Sequence, residues 1–340
     1  MIFYYDADKN VYPTQWEAIA SGKKCWLYYY NDVFDKIDWS IEPTESLDQL
    51  YKIRAQEIRD TYDHVILCYS GGHDSTNVLE TFYYNNILID EIVLVGSFSQ
   101  DAYAGSDENH NAEIHLNCFP TLRKFDLSKT KVTVIDYAKL FDNPNNFSLI
   151  RDYGNEWIKH VGIIRSINHL FWYDFKHFVG ANNNKKTCYI MGVDKLNYSK
   201  GTFRFSDISL FSYGGIYKNE NFDRVNFYTF HEKSAIDIIR KQAHILYQVD
   251  KIGNKKAVDC FNKTWETDYE NVIYNLKNPI LYESPKSPLS SISLRDMFML
   301  RTNETDMHKF FKEGLKMLND ITSIRVRPVY YTKSYKLEKS

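Results

Sequence analysis

The spacing of hydrophobic positions changes along the chain, and the changes predict its helices and strands. Four short runs are strand candidates: 64–69 (HVILCY), 89–99 (IDEIVLVGSFS), 131–138 (KVTVIDYA) and 186–194 (KTCYIMGVD). The first two are continuous apolar runs that are typical of buried strands. Apolar residues recur at three- and four-residue spacings over 75–86 and 162–178, which predicts helices. A strand, a tight loop, a helix and a second strand form a βαβ unit, so the pattern implies a parallel sheet.

The N-terminal part of the chain has its own pattern. Residues 1–60 contain two aromatic-rich strand candidates and a short helix that begins in a capping box at Thr14 and Glu17. An amphipathic helix is predicted over 43–62, with an apolar stripe on one side and the charged residues on the other faces.

Beyond residue 200 the spacing predicts helices over 233–249 and 305–321. On the first of these, Lys241, Gln242 and His244 are expected on a solvated face. The predicted fold class is α/β, a doubly wound and mostly parallel sheet. Its predicted parts are an N-terminal α+β section (1–60), a nucleotide-binding domain (61–200) and a mainly helical C-terminal extension (201–340).

Composition narrows the class of protein. The chain has 340 residues, of which 44% are hydrophobic and 16% aromatic, so it is a folded protein. A net charge of -2 argues against a general nucleic-acid coat but does not exclude nucleic acid as a substrate. The five cysteines are widely spaced and include no C-x-x-C pair, which disfavours a disulfide scaffold or a zinc site. No secretion signal or membrane-length apolar run is visible, so we expect a cytoplasmic protein with no membrane partner.

One stretch, ILCYSGGHDSTNVL at 66–79, combines a predicted strand end, paired glycines and a helix start. Backbone N–H groups and the helix dipole at such a junction favour an anion. Gly71 and Gly72 let the backbone approach that anion, and Ser70 and Ser75 add hydroxyl donors. The stretch therefore predicts a phosphate site.

Asp74 stands in the middle of this stretch, where its negative charge would repel a phosphate. A cation between the two removes the conflict. We therefore expect Asp74 to bind Mg²⁺, and the Mg²⁺ to hold the phosphates of a nucleotide.

The stretch YSGGHDST resembles the phosphate loop of the PP-loop ATP pyrophosphatases, also called adenine nucleotide alpha hydrolase-like proteins. The resemblance implies a PP-loop (HUP-like) fold and ATP as substrate, with its β- and γ-phosphates gripped by the loop. It also implies cleavage at the α-phosphate, so that the acceptor becomes an adenylate and pyrophosphate leaves. Three further stretches, DWSIEP, GVDKLNY and KQAHILY, look like asparagine synthase-like PP-loop proteins of large tailed bacteriophages, which would place the protein in a host cytoplasm.

Other residues acquire roles from this resemblance. Lys195 would lie at the same sheet edge as Ser70 and contact the departing pyrophosphate or the α-phosphate; a solvated lysine is the alternative. The adenine would lie against Val95, Gly96 and Ser97, where Gly96 permits close approach; an ordinary strand end is the alternative.

Three functions remain open at this stage. The first is an ATP-dependent ligase or amidotransferase that adenylates a carboxyl or carbonyl group on a small-molecule or nucleotide acceptor. Since the chain opens with Met1 and not with cysteine, its amine would come from a separate donor or glutaminase. The second is sulfur transfer or reduction by a PP-loop enzyme, which needs reactive thiols. The third is a non-catalytic adenine-nucleotide binder.

Overall fold

A computed structural model of the protein describes most of the N-terminal part of the chain and separate parts of the rest. The described residues are 2–96, 118–136, 140, 143–160, 174, 185–192, 196–205, 222–229, 231–253, 258, 309–310, 312–314, 316–317, 320–321 and 332–338. Except for Asp174, the helix predicted over 162–178 lies outside the described residues. The described positions between 309 and 321 are helical, as predicted.

The N-terminal part forms a small antiparallel sheet and three helices. In chain order these elements are β1 (Ile2–Asp6), β2 (Val11–Tyr12), α1 (Gln15–Ala20), β3 (Cys25–Tyr29), α2 (Asn31–Phe34) and α3 (Leu47–Thr61). β1 lies between β2 and β3. The capping box predicted at Thr14 and Glu17 is present, and Ser46 and Gln49 form a second one at the start of α3. In each box, two side chains accept hydrogen bonds from backbone N–H groups that have no acceptor within the helix.

Strands and helices then alternate. The elements are β4 (His64–Cys68), α4 (His73–Tyr84), β5 (Glu91–Gly96), α5 (Phe119–Leu122), β6 (Lys131–Asp136), α6 (Ser148–Tyr153) and β7 (Thr187–Met191). All four strands were predicted from their apolar runs. The sheet buries β4, β5 and β7, whereas β6 lies at its edge, where Val132 and Val134 are exposed. The predicted stop of α4 is also confirmed: Asn85 is the C-cap, and Asn86 has a φ of 57°, in the left-handed region.

The remaining described elements follow β7. They are β8 (Asn197–Ser199), β9 (Thr202–Arg204), β10 (Phe222–Asn226), α7 (Lys233–Lys251) and β11 (Tyr335–Lys336). Only α7 among these was predicted. β10 has the sequence FDRVN, which lacks an apolar run because it lies at the edge of a sheet, where polar side chains can reach water.

β4, β5, β6, β7 and β10 form one sheet in which every pair of neighbours is parallel. Its order is β10-β7-β4-β5-β6. The chain moves from β4 to β5 and β6, and returns to the other side of β4 for β7 and β10. The order therefore reverses between β4 and β7, and ligands of open α/β sheets bind beyond the carboxyl ends of the strands at such a point. The α/β fold class is confirmed.

Helix α3 packs against both α4 and α7. The prediction that the charged residues of α3 lie outside its apolar stripe is wrong for Arg54, which is fully buried. The solvated positions expected on α7 are also wrong for two residues. Gln242 is buried and donates to the Tyr51 hydroxyl at 3.3 Å, and buried His244 lies 2.9 Å from the Trp39 carbonyl oxygen. Hydrogen bonds to α3 and to residue 39 compensate for the burial of these polar groups.

A third, three-stranded sheet brings the described C-terminal residues to the strands that follow β7. β9 lies between β8 and β11, so the described C-terminal residues pair with the hairpin that follows β7. Aromatic rings connect this sheet to the N-terminal part: the ring centroid of Trp39 lies 5.0 Å from that of Phe203 and 5.5 Å from that of Tyr335. Among the described helices, none combines the length and the apolar character that crossing a bilayer requires.

Candidate functional site

The loop that follows β4 lies at the switch point of the sheet. Cys68 and Met191 pair in register at the carboxyl ends of β4 and β7. Residues 69–72 leave β4 at this point and lead into α4. The Tyr69 N–H donates to the Val93 carbonyl at 2.9 Å, which ties the start of the loop to β5. The predicted phosphate loop is therefore at the position where this class of sheet binds ligands.

Two serine hydroxyls fold the loop back onto the start of α4. The Ser70 N–H donates to Ser75 Oγ at 3.3 Å, and the two hydroxyl oxygens are 3.1 Å apart. The Gly72 N–H donates to Ser70 Oγ at 3.3 Å, and Ser75 Oγ donates to the Gly72 carbonyl at 3.2 Å. Ser75 is buried and Ser70 is exposed. Ser75 therefore fixes the shape of the loop, while Ser70 presents its hydroxyl to solvent.

Helix α4 begins without a side-chain cap. Its N-cap is Gly72, and its first intrahelical bond runs from the Thr76 N–H to the Gly72 carbonyl at 3.0 Å. The N–H groups that precede Thr76 have no acceptor within the helix and lie at the positive end of its dipole. Gly71 has a φ of 74°, which a residue with a Cβ rarely adopts, so the tight turn depends on glycine. These features are the ones with which helix N-termini bind anions, so the loop is a candidate anion site.

Asp74 lies in the first turn of α4. It is partly buried, and its carbonyl oxygen accepts a hydrogen bond from the Tyr228 hydroxyl at 2.8 Å. Carboxylate oxygens suit Mg²⁺, which usually binds one or two carboxylates together with substrate phosphates and water. Among the described residues, no group of three or more His, Cys, Asp or Glu side chains is placed to hold a metal ion. The donor set therefore fits a metal that shares its ligands with a bound nucleotide.

Gly192 lies directly against the start of α4. A Cβ at this position would be 3.0 Å from the Asp74 carbonyl oxygen and 2.9 Å from the Ser75 backbone nitrogen. Such distances are too short for a side chain, so only glycine lets β7 and α4 approach this closely. The end of β7 and the phosphate loop thus form one packed unit at the switch point.

The other predicted site residues fall in two groups. Val95 and Gly96 end β5, the neighbour of β4 on its other side, and pair with Ile135 and Asp136. Ser97 and Lys195 lie outside the described residues. Lys195 is bounded by two described positions, Gly192 at the phosphate loop and Leu196 in the core.

Two residues of the candidate site, Tyr228 and Asn77, were not predicted from the sequence. Tyr228 follows β10, and its hydroxyl accepts a hydrogen bond from Asn77 Nδ2 at 2.9 Å in addition to the bond that it donates to Asp74. Both side chains are buried. No local motif marks Tyr228, because the contact joins residues 154 positions apart.

Burial favours the protonated form of two described thiols near the site. Cys68 ends β4, and burial raises the pKa of its thiol to about 12. Cys188 on β7 is fully buried, and burial also raises its pKa. Sulfur chemistry uses the thiolate, which these environments disfavour.

A cavity of about 550 Å³ lies at the opposite edge of the sheet. It is lined by the end of α4 and by the segments that precede β5 and β6, among them Phe82, Tyr84, Ile87, Asp126 and Lys129. Residues 126–130 lead into the amino end of β6, away from the phosphate loop. Ligands of open α/β sheets bind at the carboxyl edge, so the loop at 70–75 is the candidate site.

Comparisons with known proteins give no family. No family model matches the chain, and no curated protein or solved structure matches it. Any function assigned to the chain therefore depends on the phosphate loop and on its position in the sheet.

Proposed function

We propose that the protein is an ATP-dependent adenylating enzyme with a PP-loop type of α/β fold, which converts ATP to AMP and pyrophosphate. One observation carries the proposal: the S-G-G-x-D-S loop lies at the switch point of a parallel sheet and begins an uncapped helix. An anion site with an aspartate in the same turn fits a nucleotide that arrives with its metal.

The chain's own groups would hold two adjacent phosphates. The first N–H groups of α4 point away from the helix toward the loop, and the exposed Ser70 hydroxyl lies beside them. Ser75 Oγ is 3.1 Å from Ser70 Oγ, so the buried Ser75 hydroxyl would hold the Ser70 hydroxyl in place beside the phosphates. Gly71 and Gly72 leave no Cβ between the backbone and the ligand. Groups arranged in this way stabilise the charge of a departing pyrophosphate.

Asp74 would hold Mg²⁺ at the first turn of α4. When bound, the metal neutralises phosphate charge and polarises the phosphoryl oxygens. The Asp74 side chain orients that metal relative to the N–H groups of the same turn. Val95, Gly96 and Ser97 would border the adenine at the end of β5.

Lys195 would stabilise charge at the α-phosphate as the bond to pyrophosphate breaks. We infer this role because Lys195 follows Gly192 in the sequence, and Gly192 touches the Asp74–Ser75 peptide. An oxygen of the acceptor attacks the α-phosphorus, the bond to the bridging oxygen breaks, and the electron pair leaves with pyrophosphate. The acceptor is then an adenylate that an amine can attack.

The acceptor in this proposal is a carboxyl or carbonyl group on a small molecule or a nucleotide, as in an asparagine synthetase-like or nucleotide-modifying enzyme. A separate donor or a glutaminase would deliver the amine. The host cytoplasm of a phage would supply both. Nucleic acid is also an acceptor that this chemistry allows.

Sulfur transfer is the second candidate. The raised pKa values of the Cys68 and Cys188 thiols count against it. Replacement of all five cysteines by serine or alanine in a folded protein decides between the two, because unchanged turnover rejects sulfur chemistry.

ATP labelled at the α- or the γ-phosphate tests the proposal. The protein, Mg²⁺ and a small-molecule extract of host cells are incubated with each label, and the products are separated by thin-layer chromatography. We expect AMP from the first label and pyrophosphate from the second, with neither formed by Asp74→Asn. ADP and free phosphate would contradict the assignment of the loop, and nucleotide recovered intact with every acceptor would favour a non-catalytic binder. A mass spectrum of the purified protein adds a search for a trapped adenylate.

A further inference from the structure

The start of α4 is held by a hydroxyl group from a distant strand. Tyr228 is fully buried behind the first turn of the helix. Its Oη donates to the Asp74 carbonyl at 2.8 Å and accepts from Asn77 Nδ2 at 2.9 Å. The bond from Asn77 leaves the hydroxyl hydrogen to point at Asp74, so the hydroxyl is fixed in one orientation.

Tyr228 is itself fixed by the turn that follows β10. Its N–H donates to Asn226 Oδ1 at 3.1 Å, and the Phe227 N–H donates to the Met191 carbonyl at 3.0 Å. The Asn226 carbonyl accepts from Arg54 Nη2 at 3.2 Å. Since Asn226 and Arg54 are both fully buried, the turn has little freedom to move.

Gly192 contacts the same peptide group of α4. A Cβ at position 192 would lie 3.0 Å from the Asp74 carbonyl oxygen and 2.9 Å from the Ser75 nitrogen. A peptide group is planar, so a hydrogen bond that fixes the Asp74 carbonyl also fixes the direction of the Ser75 N–H. β7 and the turn after β10 thus constrain one peptide unit, and that unit carries an N–H group of the anion site.

We propose that Tyr228 is a positioning residue for the phosphate and metal site. Its hydroxyl holds the Asp74–Ser75 peptide so that the Ser75 N–H faces the ligand and the Asp74 side chain faces the metal. This inference rests on the proposed function of the loop and adds a residue to it. It also explains why the buried Tyr228 hydroxyl donates to the Asp74 carbonyl, although a carbonyl within a helix already accepts a hydrogen bond from the helix itself.

The test compares Tyr228→Phe with Tyr29→Phe. Each substitution keeps a buried ring and removes a hydroxyl group that donates to a backbone carbonyl. For Tyr29 that acceptor is the Thr229 carbonyl, at 2.5 Å. Tyr29 holds the same segment but does not reach α4. Calorimetry measures ATP affinity with and without Mg²⁺. We expect Tyr228→Phe to bind Mg²⁺-ATP about three- to tenfold more weakly, the range of one hydrogen bond, and Tyr29→Phe to bind like the wild type.

A purely structural role would lower the thermal stability of both variants without changing their response to Mg²⁺. Amide hydrogen exchange in the nucleotide-free protein therefore accompanies the titration. Faster exchange at Ser75 and Thr76 is expected in Tyr228→Phe only. If Tyr228→Phe does not fold, Asn77→Ala removes the bond that orients the hydroxyl and should act in the same direction with a smaller effect.

The outcomes separate the two levels of the proposal. A wild-type protein with no affinity for Mg²⁺-ATP would overturn the proposed function. A wild-type protein that binds Mg²⁺-ATP, together with a Tyr228→Phe variant of equal affinity and equal Mg²⁺ dependence, would overturn the positioning role alone.

Discussion

Gly192 and Ser75 lie so close together that a Cβ on Gly192 would be 2.9 Å from the Ser75 backbone nitrogen. The contact joins the end of β7 to the first turn of α4, the helix that follows β4. The order of the sheet reverses between these two strands, β4 and β7. Any side chain at position 192 must move the backbone of the candidate anion site. The contact therefore couples the packing of the sheet to the geometry of the loop.

Gly192→Ala is expected to destabilise the fold by about 1–3 kcal/mol, the usual effect of forcing an extra carbon into a packed region. It should also weaken binding of Mg²⁺-ATP, because the Asp74–Ser75 peptide is displaced. Gly72→Ala is the matched control for stability. Its Cβ would meet only Ser70 Oγ at 3.4 Å, and its φ of -77° suits alanine. Alanine at an N-cap costs about 1 kcal/mol or less relative to glycine. Urea unfolding measures the free energy of unfolding of both variants, and we expect Gly192→Ala to be the less stable. Equal stabilities would contradict the close contact between Gly192 and α4.

Asp74→Asn should retain the fold and lose the Mg²⁺-dependent part of ATP binding. Asparagine keeps the shape of the side chain but removes the charge that attracts the metal. Asp48→Asn is the control, since Asp48 is an exposed acidic residue in the first turn of α3 and its loss has the same small effect on the helix dipole. Calorimetry with and without Mg²⁺ measures the effect. Wild-type affinity in Asp74→Asn would exclude the metal role.

Lys195→Ala should lower kcat and kcat/KM together and leave KM for ATP nearly unchanged. A charge that matters most as pyrophosphate departs acts in the transition state, and removal of one such contact slows turnover on the order of a hundredfold or more. Lys185→Ala is the control, because Lys185 is exposed just before β7. A rise in KM alone would mean that Lys195 only binds the ground-state phosphates.

Cys68 and Cys188 should resist alkylation in the native protein. With a pKa of about 12, roughly one Cys68 thiol in ten thousand is ionised at pH 8, and burial shields Cys188 further. The raised pKa means that reactivity rises only at alkaline pH. Peptide mass spectrometry after iodoacetamide treatment at pH 8 measures modification, with urea-unfolded protein as the control in which all five cysteines react. Rapid native modification of Cys68 would revive the sulfur-transfer alternative.

Local patterns predicted the elements that carry the phosphate loop. β4, β5 and β7 are apolar runs because the sheet buries them, and the glycines and serines at 70–75 mark the turn into α4. Such signals lie within a few residues of the structure that they specify. The sequence therefore indicated both the α/β class and the position of the candidate site.

Contacts between distant residues were not predictable in this way. β10 pairs with β7 although its FDRVN sequence has no strand-like alternation, and Tyr228 reaches Asp74 across 154 positions. Arg54 is another case, since its spacing places it on the apolar stripe of α3 while its charge suggests solvent. The structure resolves the conflict by supplying acceptors from β10 and from the start of α7.

Arg54 joins three elements inside the protein. Its Nη1 donates to Glu232 Oε2 at 2.5 Å and to Ser234 Oγ at 3.3 Å, and its Nη2 donates to the Asn226 carbonyl at 3.2 Å. A guanidinium carries its donors on separate nitrogens in a rigid planar fork, whereas the three donors of an ammonium share a single nitrogen. Arg54 therefore ties α3 to the end of β10 and to the N-cap of α7.

Arg54→Ala is expected to destabilise the protein by about 3 kcal/mol, at the lower end of the effect of breaking a buried ion pair, because Glu232 is 30% exposed and regains some hydration. Arg54→Lys should recover only part of this loss, since it keeps the charge but has one nitrogen in place of the two with which Arg54 reaches Glu232 and the Asn226 carbonyl. Arg151→Ala is the control: its pair with Asp152 is exposed on both sides, and such pairs contribute between 0 and about 1 kcal/mol. Urea unfolding with a constant m-value measures the three differences. If Arg54→Lys were as stable as the wild type, the charge and not the fork would hold these elements together, and the Asn226 turn that fixes Tyr228 would not depend on Arg54.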